Sequence, residues 1–560
     1  MINKLLFILN NYSKKYLFFI IFLMSISSLL EMLSIGSLIP LTSYIFKANT
    51  IFYFKNYITI EIILITFGII YILKNIFSIY FLKKYSTFLG YLSIFFQKKL
   101  FIKNLNLEYS NFFSTNPSNL IQSIKDEVNQ FVNEFIDSLL LIILNTILII
   151  SIFIILLFYN PLITIGIFLF LFLLSFLLLL ITKKQFIIFG LKRKLAQINL
   201  IKYLRDTFQS LKELKLYNKQ DIFLEKFDRN NKEYVKIGVH RAILGALPRL
   251  LIETALVLFL VFIIFINKNK NNLNDLLAIL SIFIFAAYKL IPSFLIIIRS
   301  YQKLTLSSNS LFSIYNQINV KDENFGSKSI LKFLDRIDFI NISFSYDQKL
   351  IYKSLNLTIK KGDFIGIYGK SGSGKSTFVD LFSGLIAPTN GKILVDGADI
   401  KENIFGWRNI ASIQTQKGFL FDDSLLVNIT LETDHSKVNK NLLDKAIEES
   451  CLVETINDLP KGIMTRVGDL GKNLSGGQLQ RLMLARALYF NKDILILDEP
   501  TNAFDYELEN NFMKNLDKIK RKKTIILISH NLKILNYCDQ VYKLENYNLN
   551  KINIFDENIF

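Results

Sequence analysis

Two hydrophobic patterns divide this chain. Up to about residue 300, apolar residues run on for whole helical lengths without the polar stripe of a surface helix. Six stretches, 16–45, 58–82, 136–158, 162–182, 243–266 and 275–298, are each long enough to cross the hydrocarbon core of a bilayer. The polar segments near 83–135 and 183–242 keep a helical period and predict spanning helices prolonged beyond the membrane, although plain loops have the same polarity. Each is interrupted once, at Ser110 to Ser118 and at Tyr217 to Phe223, and these bends are expected to touch the C-terminal half. Residues 1–15 place Ile2, Leu5, Leu6 and Leu9 at helical spacing among lysines, the pattern of a helix lying in the interface. After Val320 the pattern changes. Lys321 to Ser329 is a polar linker, and from about Ile337 short apolar strands alternate with amphipathic helices, the order of an α/β domain. The expected layout is a membrane domain over 1–319, a linker over 320–336 and an α/β domain over 337–560.

Composition agrees with a membrane protein: 51% of the residues are hydrophobic and 51 of the 560 are Phe. A formal charge of +19 would also suit a nucleic-acid partner. Its distribution argues for membrane lipid and no nucleic acid. Lys83-Lys84, Lys98-Lys99, Lys183-Lys184 and Lys192-Arg193-Lys194 crowd the long connections on one side, whereas Tyr159-Asn160-Pro161 and Asn267 to Asn274 make short turns on the other. By the positive-inside bias, both termini and the α/β domain are cytoplasmic in a multi-pass inner-membrane protein. The two cysteines, Cys451 and Cys538, have no metal-ligand spacing and fit a reducing compartment. The first span lacks a small-residue cleavage site and is expected to remain as an anchor.

The chemistry is concentrated in the α/β half. Gly369 to Thr377 reads GKSGSGKST, a phosphate loop between an apolar strand and a helix. Gly369, Lys370, Ser371, Gly372, Ser373 and Gly374 would turn backbone N–H groups toward phosphate oxygens at the positive end of the helix. Lys375 would reach the β and γ phosphates, Ser376 would offer a hydroxyl to Mg²⁺, and Thr377 completes the motif. This predicts binding of a nucleoside triphosphate with Mg²⁺. Downstream, Ser475, Gly476, Gly477 and Gln478 form a second anion cradle at a helix start. The apolar strand Ile494 to Leu497 ends in Asp498, suited to Mg²⁺, and Glu499, suited to polarise a water as general base. Tyr346 is either an adenine-stacking ring or an ordinary strand aromatic. Gln416 ends IASIQTQ with an amide suited to Mg²⁺ and the attacking water. Asp505 follows in TNAFD, and His530 ends a further apolar strand.

Charges within the spans are costly and invite a role. Glu31, Lys74, Arg249, Glu253, Lys289 and Arg299 are the candidates. Arg249 and Glu253, one turn apart, have the spacing to neutralise each other, and Arg299 has the reach to snorkel. Lys74, Arg249, Lys289 and Arg299 are otherwise expected to line a polar cavity for an anionic group. The outer segment Phe46 to Tyr57 reads either as an outer-leaflet helix or as part of the aromatic belt.

These motifs, in this order, resemble the ABC transporters, specifically exporter-type half-transporters. The likeness covers essentially the whole chain. It implies an all-α polytopic membrane domain with six transmembrane helices fused to a cytoplasmic α/β P-loop ATPase. By motif it makes Gly369 to Thr377 the Walker A loop, Ile494 to Asp498 the Walker B strand and Glu499 the catalytic carboxylate. Tyr346 becomes the adenine-stacking residue, Gln416 the Q-loop glutamine, Asp505 the D-loop aspartate and His530 the switch histidine. Thr465 to Gly471 resembles the exporter X-loop, with Asp469 at its acidic position. The D-loop reads PTNAFD where many exporters have ATSALD, with Pro500 for Ala and Phe504 for Leu.

In such proteins the LSGGQ segment completes the ATP site of the opposite subunit, which implies a homodimer coupling ATP-driven closure and hydrolysis to transport. Glu31, Pro248-Arg249, Lys289, Pro292 and the outer Phe46 to Tyr57 segment resemble PglK-type lipid-linked oligosaccharide flippases. That resemblance implies an amphiphilic, anionic, lipid-linked substrate. Export of lipid A-type lipids, drugs or peptides, and an ATP-gated scaffold without transport, are the alternatives. With residues 1–15 alone ahead of the first span, a fused peptide-processing protease is not expected.

Overall fold

The computed structural model describes residue 7 and residues 14–45, 59–114, 117–266, 273–327, 329–370, 372–416, 418–468 and 471–552. Most of the expected interfacial helix over 1–15, the outer segment 46–57 and most of the 267–274 loop therefore lie outside the described residues, as does Asp469. Two compact units emerge, Met1–Leu107 with Ser114–Asp322, and Glu108–Phe113 with Glu323–Phe560.

The described residues of the first unit are mainly helical. In chain order the helices include α1 (Lys14–Gly36), α2 (Leu38–Ile45), α3 (Ile60–Leu105), the short α4 (Tyr109–Ser114), which groups with the second unit up to Phe113, α5 (Asp137–Tyr159), α6 (Pro161–Gln209), α7 (Gln220–Ile266), α8 (Leu273–Leu306) and α9 (Ser308–Ile318). The spans and their polar extensions are continuous helices, 46, 49 and 47 residues long in α3, α6 and α7. Among the described residues, five helical segments are long and apolar enough to cross a bilayer. The expected fifth span lies on α7. Pro161 at the first turn and the Asn160 side chain, which accepts the Ile163 N–H at 3.2 Å, start α6 sharply after α5.

Two buried clusters hold these helices. One joins Ile20 and Met24 of α1, Leu92 and Phe96 of α3 and Leu311 of α9 to Phe131, which lies in a π-helical stretch, Gln130–Ile136. The other joins Ile35, Ile152, Leu171, Ile252 and Phe283 from α1, α5, α6, α7 and α8. Many large apolar side chains face outward, Phe158 and Leu162 at 81% and 82% exposure. A water-soluble surface would not carry so much; a lipid-facing one requires it.

The second unit contains two sheets. The four-stranded one has the order β2-β1-β4-β5, where β1 is Arg336–Tyr346, β2 Lys349–Lys360, β4 Asn390–Val395 and β5 Ala398–Asp399, and all of its pairings are antiparallel. The six-stranded one has the order β10-β9-β3-β8-β7-β6, with β3 Phe364–Tyr368, β6 Ala411–Gln414, β7 Ile494–Asp498, β8 Thr524–Ser529, β9 Gln540–Glu545 and β10 Asn548–Ile552. Its central pairs are parallel. Strands covered on both faces need continuous apolar runs, and FIGIY, ILILD and TIILIS supply them. Parallel strands end together, so the loops after β3, β6, β7 and β8 meet at one edge, where open α/β sheets bind ligands.

Candidate functional site

Residues from those four loops converge at that edge. After β3 the chain turns through Gly372 and Gly374, at φ +81° and +111°, into α10 (Lys375–Phe382). A Cβ on Gly374 would stand 2.9 Å from Ile351 Cγ2 and 3.1 Å from Tyr352 Oη, so glycine is required twice over, for conformation and for space. Tyr352, fully buried in β2, donates to the Gly374 carbonyl at 2.6 Å and props the loop. Lys375 Nζ donates to the Gly369 carbonyl at 2.7 Å. Ser373 Oγ is buried without a hydrogen-bond partner among the described residues. A loop with an orphan hydroxyl, a lysine and a helix N-terminus fits a phosphate chain. Ser376 is exposed and Thr377 buried on the first turn of α10, and Ser371 lies outside the described residues.

β7 delivers the carboxylates. Asp498 is 5% exposed, and burial, reinforced by repulsion from Glu499, pushes its carboxyl up to about 6. Glu499 sits at φ +50°, an uncommon conformation for a side chain of this size, with its N–H bonded to the Ile528 carbonyl at 2.8 Å. Four groups surround its carboxylate. Gln416 Nε2 and Asn502 Nδ2 donate to Oε2 at 2.5 and 2.6 Å, His530 Nδ1 lies 3.3 Å from Oε1, and Lys375 Nζ lies 3.5 Å from the same oxygen. Burial alone would raise its pKa; the Asn502 hydrogen bond, His530 and Lys375 together hold it below the ordinary carboxylate range. An ionised carboxylate in this position suits a general base. The Gln480 amide fixes the same turn, donating to the Glu499 carbonyl at 2.5 Å and accepting the Ala503 N–H at 2.9 Å.

The Ser376 hydroxyl and the buried Asp498 carboxylate are hard oxygen donors, and the clash between Asp498 and Glu499 is one that a divalent cation relieves. The set fits Mg²⁺.

Other expected residues take recognisable places. Ser475 caps α11 (Gly476–Tyr489) in a reciprocal box with Gln478, at 3.3 and 2.9 Å. A Cβ on Gly477 would fall 2.8 Å from the Ala503 carbonyl. Tyr346, 44% exposed, ends β1 with its ring edge-on to Phe344. Asp505 caps α12 (Tyr506–Ile519), accepting the Leu508 N–H at 2.8 Å. Asn502, Gln480 and Tyr352 were not singled out from the sequence. Asn502 alone gave a usable signal, a polar side chain three positions after Glu499.

In the membrane unit the four cationic residues separate. Lys74 and Lys289 both bond Glu31, at 2.8 and 2.5 Å, tying α3 and α8 to α1. Arg249 instead pairs with Glu253 at 2.7 Å and is largely exposed, and Arg299 faces outward. Of the four expected residues, buried Lys74 and half-buried Lys289 thus meet at Glu31, while Arg249 and Arg299 lie apart from them.

A phosphate-loop domain with a buried carboxylate pair, fused to a polytopic helical bundle, places the chain among membrane proteins that carry a nucleotide-binding domain. The chain belongs to the ABC transporters, with a transmembrane and an ATP-binding domain: residues 11–288 match the ABC transporter transmembrane region and residues 352–502 the ABC transporter family. Among known proteins, it is 36% identical over 255 residues to the alpha-hemolysin translocation ATP-binding protein HlyB of Escherichia coli O157:H7. It is 35% identical over 254 residues to the exotoxin translocation ATP-binding protein PaxB of Pasteurella aerogenes. Each alignment covers 44% of this chain but 35% of the relative, so the chain spans about a third of the length of these relatives. A bacterial Atm1-family ABC exporter with ATP bound shares the fold, with a TM-score of 0.81 at 18% identity over 96% of this chain and 95% of that one.

Proposed function

We propose that two copies of this chain form an ATP-driven flippase of the inner membrane, moving a polyprenyl-diphosphate-linked oligosaccharide from the inner to the outer leaflet. ATP hydrolysis coupled to transport follows from the family; the substrate is the proposal. The Glu31–Lys74–Lys289 cluster carries it. Two ammonium groups share one carboxylate in the apolar bundle, leaving one positive charge uncompensated, and a diphosphate head is the complement.

In the cycle, the loop from Gly369 to Ser376 holds the phosphates and Lys375 leaves Glu499 to reach them. Mg²⁺, when bound, would neutralise charge developing on the phosphates. Glu499 then orients and deprotonates water, with Gln416 and His530 fixing its carboxylate. The Ser475 to Gln478 cradle would close over the nucleotide of the opposite copy, so that ATP favours the closed pair by differential contacts.

The test is ATP-dependent flipping of a fluorescent lipid-linked oligosaccharide in proteoliposomes by the wild type and Glu499→Gln. Flipping by the wild type alone is expected; ATPase activity without flipping would sink the substrate assignment and leave the ATPase standing. A second reading, export of a polypeptide, is favoured by the translocation proteins named above. Peptide-stimulated ATPase activity in the same vesicles would select it.

A further inference from the structure

The membrane unit holds a second group of charges, remote in sequence from Glu31. Arg193 on α6 and Arg241 on α7 line one cavity of about 410 Å³, walled by Phe189, Tyr234, Val239 and Leu306. The charges there do not balance. Arg193 Nη1 approaches Glu134 Oε1 at 3.5 Å, a long contact, and Glu134 Oε2 is buried without a hydrogen bond. Arg241 has no hydrogen bond or ion pair among the described residues, although it is half-buried. One turn along α6, Gln197 occupies Asp126 at 3.4 Å, so that carboxylate is engaged elsewhere. Two guanidiniums therefore face one carboxylate. Burial, and then the repulsion of Arg193, depress the pKa of Arg241, and the attraction of Glu134 offsets this only in part.

We infer that this cavity is a binding site for a phosphate-bearing amphiphile, with Arg193 and Arg241 on the phosphate oxygens and the stem against Phe189, Val239 and Leu306. Three arguments select that chemistry. Guanidinium forks match the oxygens of phosphate in pairs. The wall is apolar and aromatic, which suits an acyl or isoprenyl chain and not a hydrated ion. The location is right as well: Arg241 lies two residues before the expected fifth span, and Arg193 lies beyond the Lys183-Lys184 end of the fourth. Both are on the cytoplasmic side, where anionic headgroups of the inner leaflet stand. The inference does not depend on the transported substrate, since neither arginine belongs to the Glu31 cluster.

A lipid headgroup and free phosphate share this chemistry, and the experiment separates them. The full-length chain, purified in detergent, is titrated with phosphatidylglycerol or phosphatidylcholine and bound lipid is counted by native mass spectrometry. Inorganic pyrophosphate is titrated in parallel by equilibrium dialysis. Arg241→Gln breaks no ion pair, and is expected to weaken phosphatidylglycerol retention about tenfold while leaving phosphatidylcholine unchanged. Glu134→Gln removes the competing carboxylate and should tighten it several-fold, a gain that misfolding does not produce. The same pattern with pyrophosphate and not with lipid would assign the site to free phosphate. Equal binding of both probes across wild type and variants overturns the site.

Discussion

The Asn502 amide donates to Glu499 Oε2 at 2.6 Å, sharing that oxygen with Gln416. The bond is short in sequence and made possible by the left-handed turn at Glu499, which folds the following loop back over the carboxylate. Holding the base ionised and aimed leaves less reorganisation for the reaction.

Asn502 is therefore a positioning residue, and its loss should act on turnover more than on binding. Glu499→Gln is expected to abolish hydrolysis, by at least about 10²-fold, with ATP still bound. Asn502→Ala should lower kcat about tenfold at nearly constant KM, the scale of one hydrogen bond to a charge. Steady-state Mg-ATPase assays decide it; a kcat equal to wild type would remove Asn502 from the mechanism.

The Glu31 cluster makes the opposite kind of claim, about stability. Glu31→Gln would strand Lys74 and Lys289 in an apolar setting, at a cost of about 3 kcal/mol or more. Replacing all three by Leu, Met and Met should recover much of that loss, because breaking a buried pair costs more than removing it. Thermal unfolding in detergent tests both. A Glu31→Gln protein as stable as wild type would mean that water, not Glu31, solvates the lysines.

How much of this was legible depended on range. β3, β7 and β8 announce themselves because a parallel strand buried on both faces must be apolar throughout, and the motifs at their ends inherit that position. The intramembrane charges were equally visible, but pairing Glu31 with residues 74 and 289 requires knowing which helix faces pack. Arg249 and Glu253, one turn apart, could be read locally, and they pair as their spacing allows. The break at Ser37 between α1 and α2 is marked in the apolar run LSIGSLIP only by Gly36 and Pro40, which the unbroken hydrophobicity outweighs, and the π-helical stretch around Phe131 does not differ in period from its neighbours. Asp505 shows one residue doing local work that its motif does not mention, since it caps α12.

Asp380, on α10, gives a pH dependence. Burial pushes its carboxyl up to about 6, so the folded chain keeps a proton that the unfolded chain has released. Its contribution is therefore most favourable below about pH 4 and is lost as the pH rises through about 6. Asp380→Asn should raise the unfolding midpoint near neutral pH and leave it unchanged near pH 4. Midpoints measured across that window check the sign: a variant less stable than wild type at neutral pH would show that the ionised carboxylate is wanted.

Tyr352 tests whether the phosphate loop is preformed. Its ring lies under Gly374 and its hydroxyl donates to a carbonyl that also accepts the Phe378 N–H at 3.0 Å. Tyr352→Phe leaves that carbonyl with one partner and the loop with its packing, so the loss should be close to one neutral hydrogen bond, about 1 kcal/mol, or roughly fivefold in ATP affinity. Gly374→Ala acts on the same loop by collision, adding a Cβ within 2.9 Å of Ile351 at a φ that disfavours it, and should weaken binding far more. Titration with a fluorescent ATP analogue ranks the two. If Tyr352→Phe proved as damaging as Gly374→Ala, the hydroxyl would have to contact the nucleotide itself.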